Sequence, residues 1–190
     1  MRYKKIGKTG IDVSAIGIGT WQMGNGSHWN ANLNDRTSID TIRTAVDHGI
    51  NLIDTAHVYG AGHSETVVGK AVKEIGRDKV ALTTKVGIWY EPDGVYNEAT
   101  KCLKCNERVV MTQIEESLKR LQTDYLDFYQ VHYAGTTPIE ESTAAMQKLV
   151  MQGKIRHWGI SNYSYDQIEK VISLGYVCSY QPQYSLLYPE

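Results

Sequence analysis

The chain has little cysteine, almost no net charge and no long hydrophobic run, and each shortage removes a class of protein. Its three cysteines, Cys102, Cys105 and Cys178, are an odd number without a paired framework. That suits a reducing compartment rather than a disulfide-stapled scaffold. Lysine and arginine total 20 against 21 acidic residues, a net charge of -1 at pH 7, with no basic block to neutralise a phosphate backbone. Nucleic acid is therefore not an expected partner. No apolar stretch approaches the ~20 residues that cross a bilayer, so no membrane is expected either. The opening MRYKKIGKTG is basic, but alternating polar and apolar residues follow it instead of the continuous apolar core of an export signal. The cytoplasm is the expected location.

What is present is 190 residues, 42% of them hydrophobic, enough for one domain with a sizeable core. Arg2 to Ile6 and Ile11 to Val13 flank a Gly7-Lys8-Thr9-Gly10 turn and predict a short hairpin that caps one end of the fold. A buried strand, AIGIGT, follows at Ala15 to Thr20. A unit then repeats: apolar strand, polar loop, amphipathic helix, glycine. The helices are expected over Asp35 to His48, from Ser64 to Ile75, around Val110 to Leu121, after Thr137 and after Ser164. Thr137-Pro138-Ile139-Glu140 and Ser164 with Gln167 both have the pattern of a capping box, and Ile168, Val171 and Ile172 are expected to face inward. The strands are NLID, VALTTK, LDFYQVH, IRHWGIS and a sixth around Val177 to Gln181.

Strict alternation of strand and helix implies a parallel sheet with right-handed crossovers, open or closed. One polar residue stands at or near the carboxyl end of each of five successive strands: Asp54, Lys85, His132, the pair Ser161-Asn162, and Gln181. An open sheet would spread them along an edge, whereas a barrel gathers them at one mouth. The fold class expected is therefore α/β, a (β/α)8 TIM barrel. A complete one needs ~250 residues. The chain reads as one domain over 1–190, with the N-terminal β-hairpin and about six βα units, truncated at its C-terminus with open edges on strands one and six.

Tyr59, five residues after Asp54, supplies a hydroxyl at that mouth. An ammonium at Lys85 is expected to favour the phenolate and lower the tyrosine pKa, while Asp54 holds Lys85 charged and His132 bonds the substrate oxygen or shares its proton with Tyr59. Such a set delivers a proton to an oxygen while a hydride arrives at the adjacent carbon. No side chain supplies hydride, so a nicotinamide cofactor is implied. Ser161, Asn162 and Gln181 match the one acceptor and two donor hydrogens of a carboxamide. Gln183 is the rival for the last place.

The segments GIGTW, NLIDTAHVYG, SETVVGKA, TTK, ESLKRLQTDYLDFYQVH, GKIRHWGISNYS and QPQYSLL, in this order and spacing, resemble the N-terminal portion of the aldo-keto reductase superfamily. The resemblance is greatest to bacterial general-stress-type reductases and the potassium channel β subunits. It implies a catalytic tetrad of Asp54, Tyr59, Lys85 and His132, nicotinamide contacts from Ser161, Asn162 and Gln181, and NADPH as cofactor for reducing an aldehyde or ketone. Tyr133 stands where many relatives carry tryptophan and Ser185 where asparagine is common, so substrate preference does not transfer. Two rival functions follow: a cofactor-sensing regulatory subunit, or an inactive fragment without the family's phosphate-binding loops.

Other signals read as structural. Gly17-Ile18-Gly19 is not a dinucleotide fingerprint, because Gln22 takes the third glycine position. Cys102 and Cys105 form a CxxC without a second pair and read as incidental loop thiols. His28, His57 and His63 lie in mouth loops, but the first strand offers no paired histidines for a hydrolytic metal site. Trp21, Trp89 and Tyr90 are candidates to line the substrate pocket or to pack its rim.

Overall fold

The computed structural model describes residues 1–24, 34–89 and 102–188. His28 and Tyr90 lie outside the described residues. The elements run in chain order as β1 (Tyr3–Lys5), β2 (Asp12–Ser14), β3 (Ile18–Gly19), α1 (Asp35–Asp47), β4 (Leu52–Asp54), α2 (His63–Ile75), β5 (Ala81–Val86), β6 (Ile88–Trp89), β7 (Cys102–Leu103), α3 (Glu107–Leu121), β8 (Leu126–Val131), α4 (Ile139–Met151), β9 (Ile155–Ser161), α5 (Tyr165–Leu174) and β10 (Tyr180–Gln181), with a 3-10 turn over Trp21–Gly24.

The order β10-β9-β8-β5-β4-β3 makes one six-stranded parallel sheet, with consecutive βα units adjacent in space. This is the arrangement of six units of a (β/α)8 barrel. Alternate strand residues face opposite ways, and the side chains sort accordingly. Ile53, Leu82, Val86, Tyr129, Val131 and Ile160 join Ile42, Val68, Val110, Ile114, Met146 and Leu149 of the helices in the main core. Burying each of the aliphatic side chains contributes about 1.5–3 kcal/mol. Phe128 and Ala81, which point the other way, form a second cluster with Val13 and Cys178. Val13 comes from the β1–β2 hairpin, whose strands pair Tyr3 with Ser14 and Lys5 with Asp12. Ser14 N donates to Asn51 Oδ1 (2.7 Å) just before β4, so the hairpin closes the amino-terminal floor of the sheet.

Several details differ from expectation. Thr137 does not cap α4. Its Oγ1 accepts from Cys105 N (2.9 Å), Pro138 takes the cap position, and Glu140 reaches forward to Lys170 (2.7 Å). Ser164 and Gln167 do form the capping box of α5. On that helix Val171 is buried but Ile172 is 58% exposed, because the inward stripe is narrower than its apolar residues suggest. The segment after Lys85 includes a short antiparallel ladder, β6 with β7, that periodicity did not reveal. Cys105 is buried, and burial, reinforced by Glu141, pushes its thiol up to about 12, away from thiolate chemistry. Among the described residues no helix is long and apolar enough to cross a membrane.

Candidate active site

The carboxyl ends of β4, β5, β8, β9 and β10 gather the residues singled out from the sequence. Lys85, buried next to the last position of strand β5, aims its ammonium at β4. Nζ donates to both carboxylate oxygens of Asp54 (2.7 and 2.7 Å), to the Thr55 carbonyl (3.1 Å) and to the Tyr59 hydroxyl (3.4 Å). The ammonium also lies 5.2 Å from the centre of the Tyr59 ring. His132 stands edge-on to that ring, centroids 6.0 Å apart, and stacks on Tyr133 at 5.1 Å. Trp21, in the turn after β3, stacks on the Tyr59 ring at 5.9 Å. Asp54, Tyr59, Lys85 and His132 thus share one site.

The electrostatics correct one expectation. Lys85 does not lower the Tyr59 pKa: burial, reinforced by the Asp54 carboxylate and by Tyr133, pushes it well above that of an ordinary phenol. Desolvation disfavours the phenolate and Asp54 lies beside it, so the neighbouring cation does not win. Lys85 is itself held lower than a free lysine by burial, against the opposing pull of Asp54. At neutral pH the phenol is consequently fully protonated. Its proton is available to a bound oxygen, and the adjacent ammonium can stabilise the charge left behind.

On the opposite rim, β10 pairs Gln181 with Ser161 of β9. Ser161 Oγ donates to the Gln181 carbonyl (2.7 Å), and Asn162, at φ 56°, donates Nδ2 to the His132 carbonyl (3.0 Å) and to Ser161 Oγ (3.0 Å). The three residues are together, and the protons of Ser161 and Asn162 fasten three strand ends to one another. Gln181 Oε1 is buried without a hydrogen-bond partner among the described residues. A buried amide oxygen left over in this way suits a ligand that brings an N–H of its own, such as a carboxamide. Gln183 is exposed, which leaves Gln181 as the better placed of the two.

Periodicity missed the supports behind these residues. Thr84 Oγ1 donates to Glu65 Oε1 (2.7 Å), Arg120 pairs with Glu65 (3.0 Å) and Glu116 (3.3 Å), and Glu116 meets His57 Nε2 (2.7 Å). The only advance signal was a glutamate at a fully buried position of α2. His63 pairs with Asp35 (2.8 Å). The side chains of Trp89 and Cys102 lie outside the described residues.

The model of the aldo/keto reductase family matches residues 15–190. The chain is 44% identical to aldo-keto reductase YhdN of Bacillus subtilis (strain 168), over 100% of this chain and 56% of that protein. It is 37% identical to the NADH-specific methylglyoxal reductase of Escherichia coli (strain K12), over 98% of this chain and 60% of the relative. It therefore spans little more than half the length of these relatives. Among solved structures, an aldo-keto reductase from Klebsiella pneumoniae in complex with NADPH superposes with a TM-score of 0.78 at 34% identity, covering 97% of this chain and 59% of the other.

Proposed function

Because the chain belongs to the aldo/keto reductase family, we propose that residues 1–190 belong to one barrel domain that reduces an aldehyde or ketone to the alcohol, with Tyr59 as proton donor. The observation that carries this reading is the single ammonium of Lys85 in contact with both oxygens of Asp54 and with the Tyr59 hydroxyl. A nicotinamide cofactor, when bound, supplies the hydride to the carbonyl carbon. Gln181 Oε1 and Asn162 Oδ1 would accept from its carboxamide, with Ser161 Oγ keeping β9 and β10 in register. NADPH is the cofactor proposed, in keeping with the Klebsiella complex, although one relative is named as NADH-specific.

Tyr59 gives its proton to the substrate oxygen as that oxygen gains charge. The phenolate so formed faces Lys85, whose ammonium is held in place by Asp54, and His132 orients the oxygen from the side. Lys85 therefore acts on the state after proton transfer, not by acidifying the resting phenol. Tyr59→Phe removes the proton and keeps the ring that Trp21 and His132 pack against. It is expected to lower kcat for simple aldehydes by about a thousandfold while NADPH affinity stays within a few-fold of the parent. Steady-state NADPH oxidation and a fluorescence titration measure the two. Undiminished turnover in the variant sinks the reading.

A further inference from the structure

We propose that Ser64 is a positioning residue for Tyr59: its buried hydroxyl ties the ends of β3 and β4 to the first turn of α2 and so fixes the loop that carries the phenol. This rests on Tyr59 being the proton donor.

Ser64, Thr20 and Thr55 are all fully buried. Ser64 Oγ lies 2.8 Å from the Thr20 carbonyl, 2.8 Å from Thr20 Oγ1 and 3.1 Å from Thr55 Oγ1. The proton directions follow. Thr20 donates through both N (3.0 Å) and Oγ1 (3.1 Å) to the Asp54 carbonyl, so its hydroxyl proton is committed. Ser64 has one proton, shared between the two oxygens of Thr20, and accepts the proton of Thr55. The chain Thr55 to Ser64 to Thr20 to Asp54 is thus directed and complete.

Each member stands next to a part of the site. Thr20 precedes Trp21, which stacks on Tyr59. The Thr55 carbonyl accepts from Lys85 Nζ, and the Ser64 amide donates to the Tyr59 carbonyl (3.2 Å). Between Tyr59 and Ser64 the backbone passes through Gly60, Ala61 and Gly62 at φ 58°, 52° and 88°. Successive left-handed residues, one of them alanine, are not held by local preference and persist only where both ends are fixed. At the near end a Cβ on Gly60 would overlap the Gly24 carbonyl oxygen, which marks a backbone contact that pins the loop. Ser64 pins the far end.

The test uses Ser64→Ala in the full chain, in the parent and in a Tyr59→Phe background. The expected kcat is about tenfold lower in the parent background, with the KM for NADPH unchanged. In Tyr59→Phe no further loss is expected, because the residue acts through the phenol. Independently of turnover, NMR of ring-labelled tyrosine is expected to show the Tyr59 resonances moving away from their Trp21-stacked position while those of Tyr125 stay fixed. Equal losses in both backgrounds, or an unmoved Tyr59 signal in folded Ser64→Ala, overturns the proposal. If Ser64→Ala does not fold, Thr20→Val removes a hydroxyl from the same chain and is judged by the same criteria, with Thr20→Ser expected to restore the parent values. Full turnover in Tyr59→Phe instead defeats the assignment of the proton donor, and the NMR result still decides the role of Ser64.

Discussion

The two ends of the sheet each bury a carboxylate against a cation, and they use it differently. At the amino-terminal floor, Asp127 bonds Arg156 (2.9 Å), Arg77 (2.8 Å) and the Leu82 amide (2.9 Å). Arg77 also donates to Thr123 Oγ1 and to the carbonyls of Val80 and Tyr125, and both guanidinium groups lie over the Tyr125 ring at 4.1 and 4.4 Å. Both oxygens of the floor carboxylate are thus taken by donors of the fold itself. At the mouth, Asp54 pairs with Lys85, whose remaining reach goes to the Thr55 carbonyl and the Tyr59 phenol. Both ends carry buried charge. What separates the end proposed to be reactive is a phenol beside the ion pair, with a proton it can give to a third party.

The comparison breaks most sharply under matched substitutions. Asp127→Asn leaves the largely buried Arg77 and the half-exposed Arg156 without their counter-charge. It is expected to cost about 3 kcal/mol in stability while kcat at a permissive temperature changes less than about twofold. Asp54→Asn is expected to do the reverse. It lowers kcat by about a hundredfold and stability by less, because Asp54 keeps partial access to solvent. Urea unfolding and NADPH oxidation on the two variants measure both effects. If Asp127→Asn silenced turnover in a fully stable protein, the division between floor and mouth would be wrong.

The mouth was legible in the sequence and the floor was not, for a physical reason. Asp54, Lys85, His132, Ser161 and Gln181 each follow an apolar strand, so local pattern and the topology of parallel units place them together. Arg77, Asp127 and Arg156 meet from three separate units, with no local periodicity to mark them. Asp127 falls inside the apolar run LDFYQV, where alternation alone assigns it a face but no partner. The Ser64 chain was hidden in the same way, since a serine in a helix's first turn reads as a local cap. The sign of the Tyr59 shift was missed because a list of neighbours shows the lysine and not the burial.

That sign gives a sharper test of the mouth. An ordinary phenol is half ionised near pH ~10 and would lose its donor proton on the way there. With the Tyr59 pKa raised by burial, kcat for reduction is expected to stay level as pH approaches that value, up to the limit of protein stability. Opening the site should bring the fall back. Trp21→Ala, which uncovers one face of the ring, is expected to start the decline at lower pH by a fraction of a unit to about one unit. A parent profile that already bends well below pH ~10 would mean that Lys85, not burial, governs the resting phenol.

The smallest effect falls between the two ends. His157 sits on β9 in register with Phe128 and stacks on it at 6.0 Å. Burial and the neighbouring Arg156 hold its pKa below the ordinary histidine value, and Asp127 pulls the other way. A histidine with a depressed folded pKa takes up its proton more readily when unfolded. Its contribution is therefore intact above the unfolded pKa of about 6.5 and declines as pH falls through that value toward the folded pKa. Thermal midpoints measured from about pH 8 down to about pH 5 should show a modest loss that His157→Gln flattens. Asp127→Asn removes the opposing carboxylate and should steepen the same limb, over and above its constant cost in stability. A slope unchanged in His157→Gln would place the acid sensitivity elsewhere, and one unchanged in Asp127→Asn would mean that the floor carboxylate is neutralised so completely by its two arginines that the histidine above does not sense it.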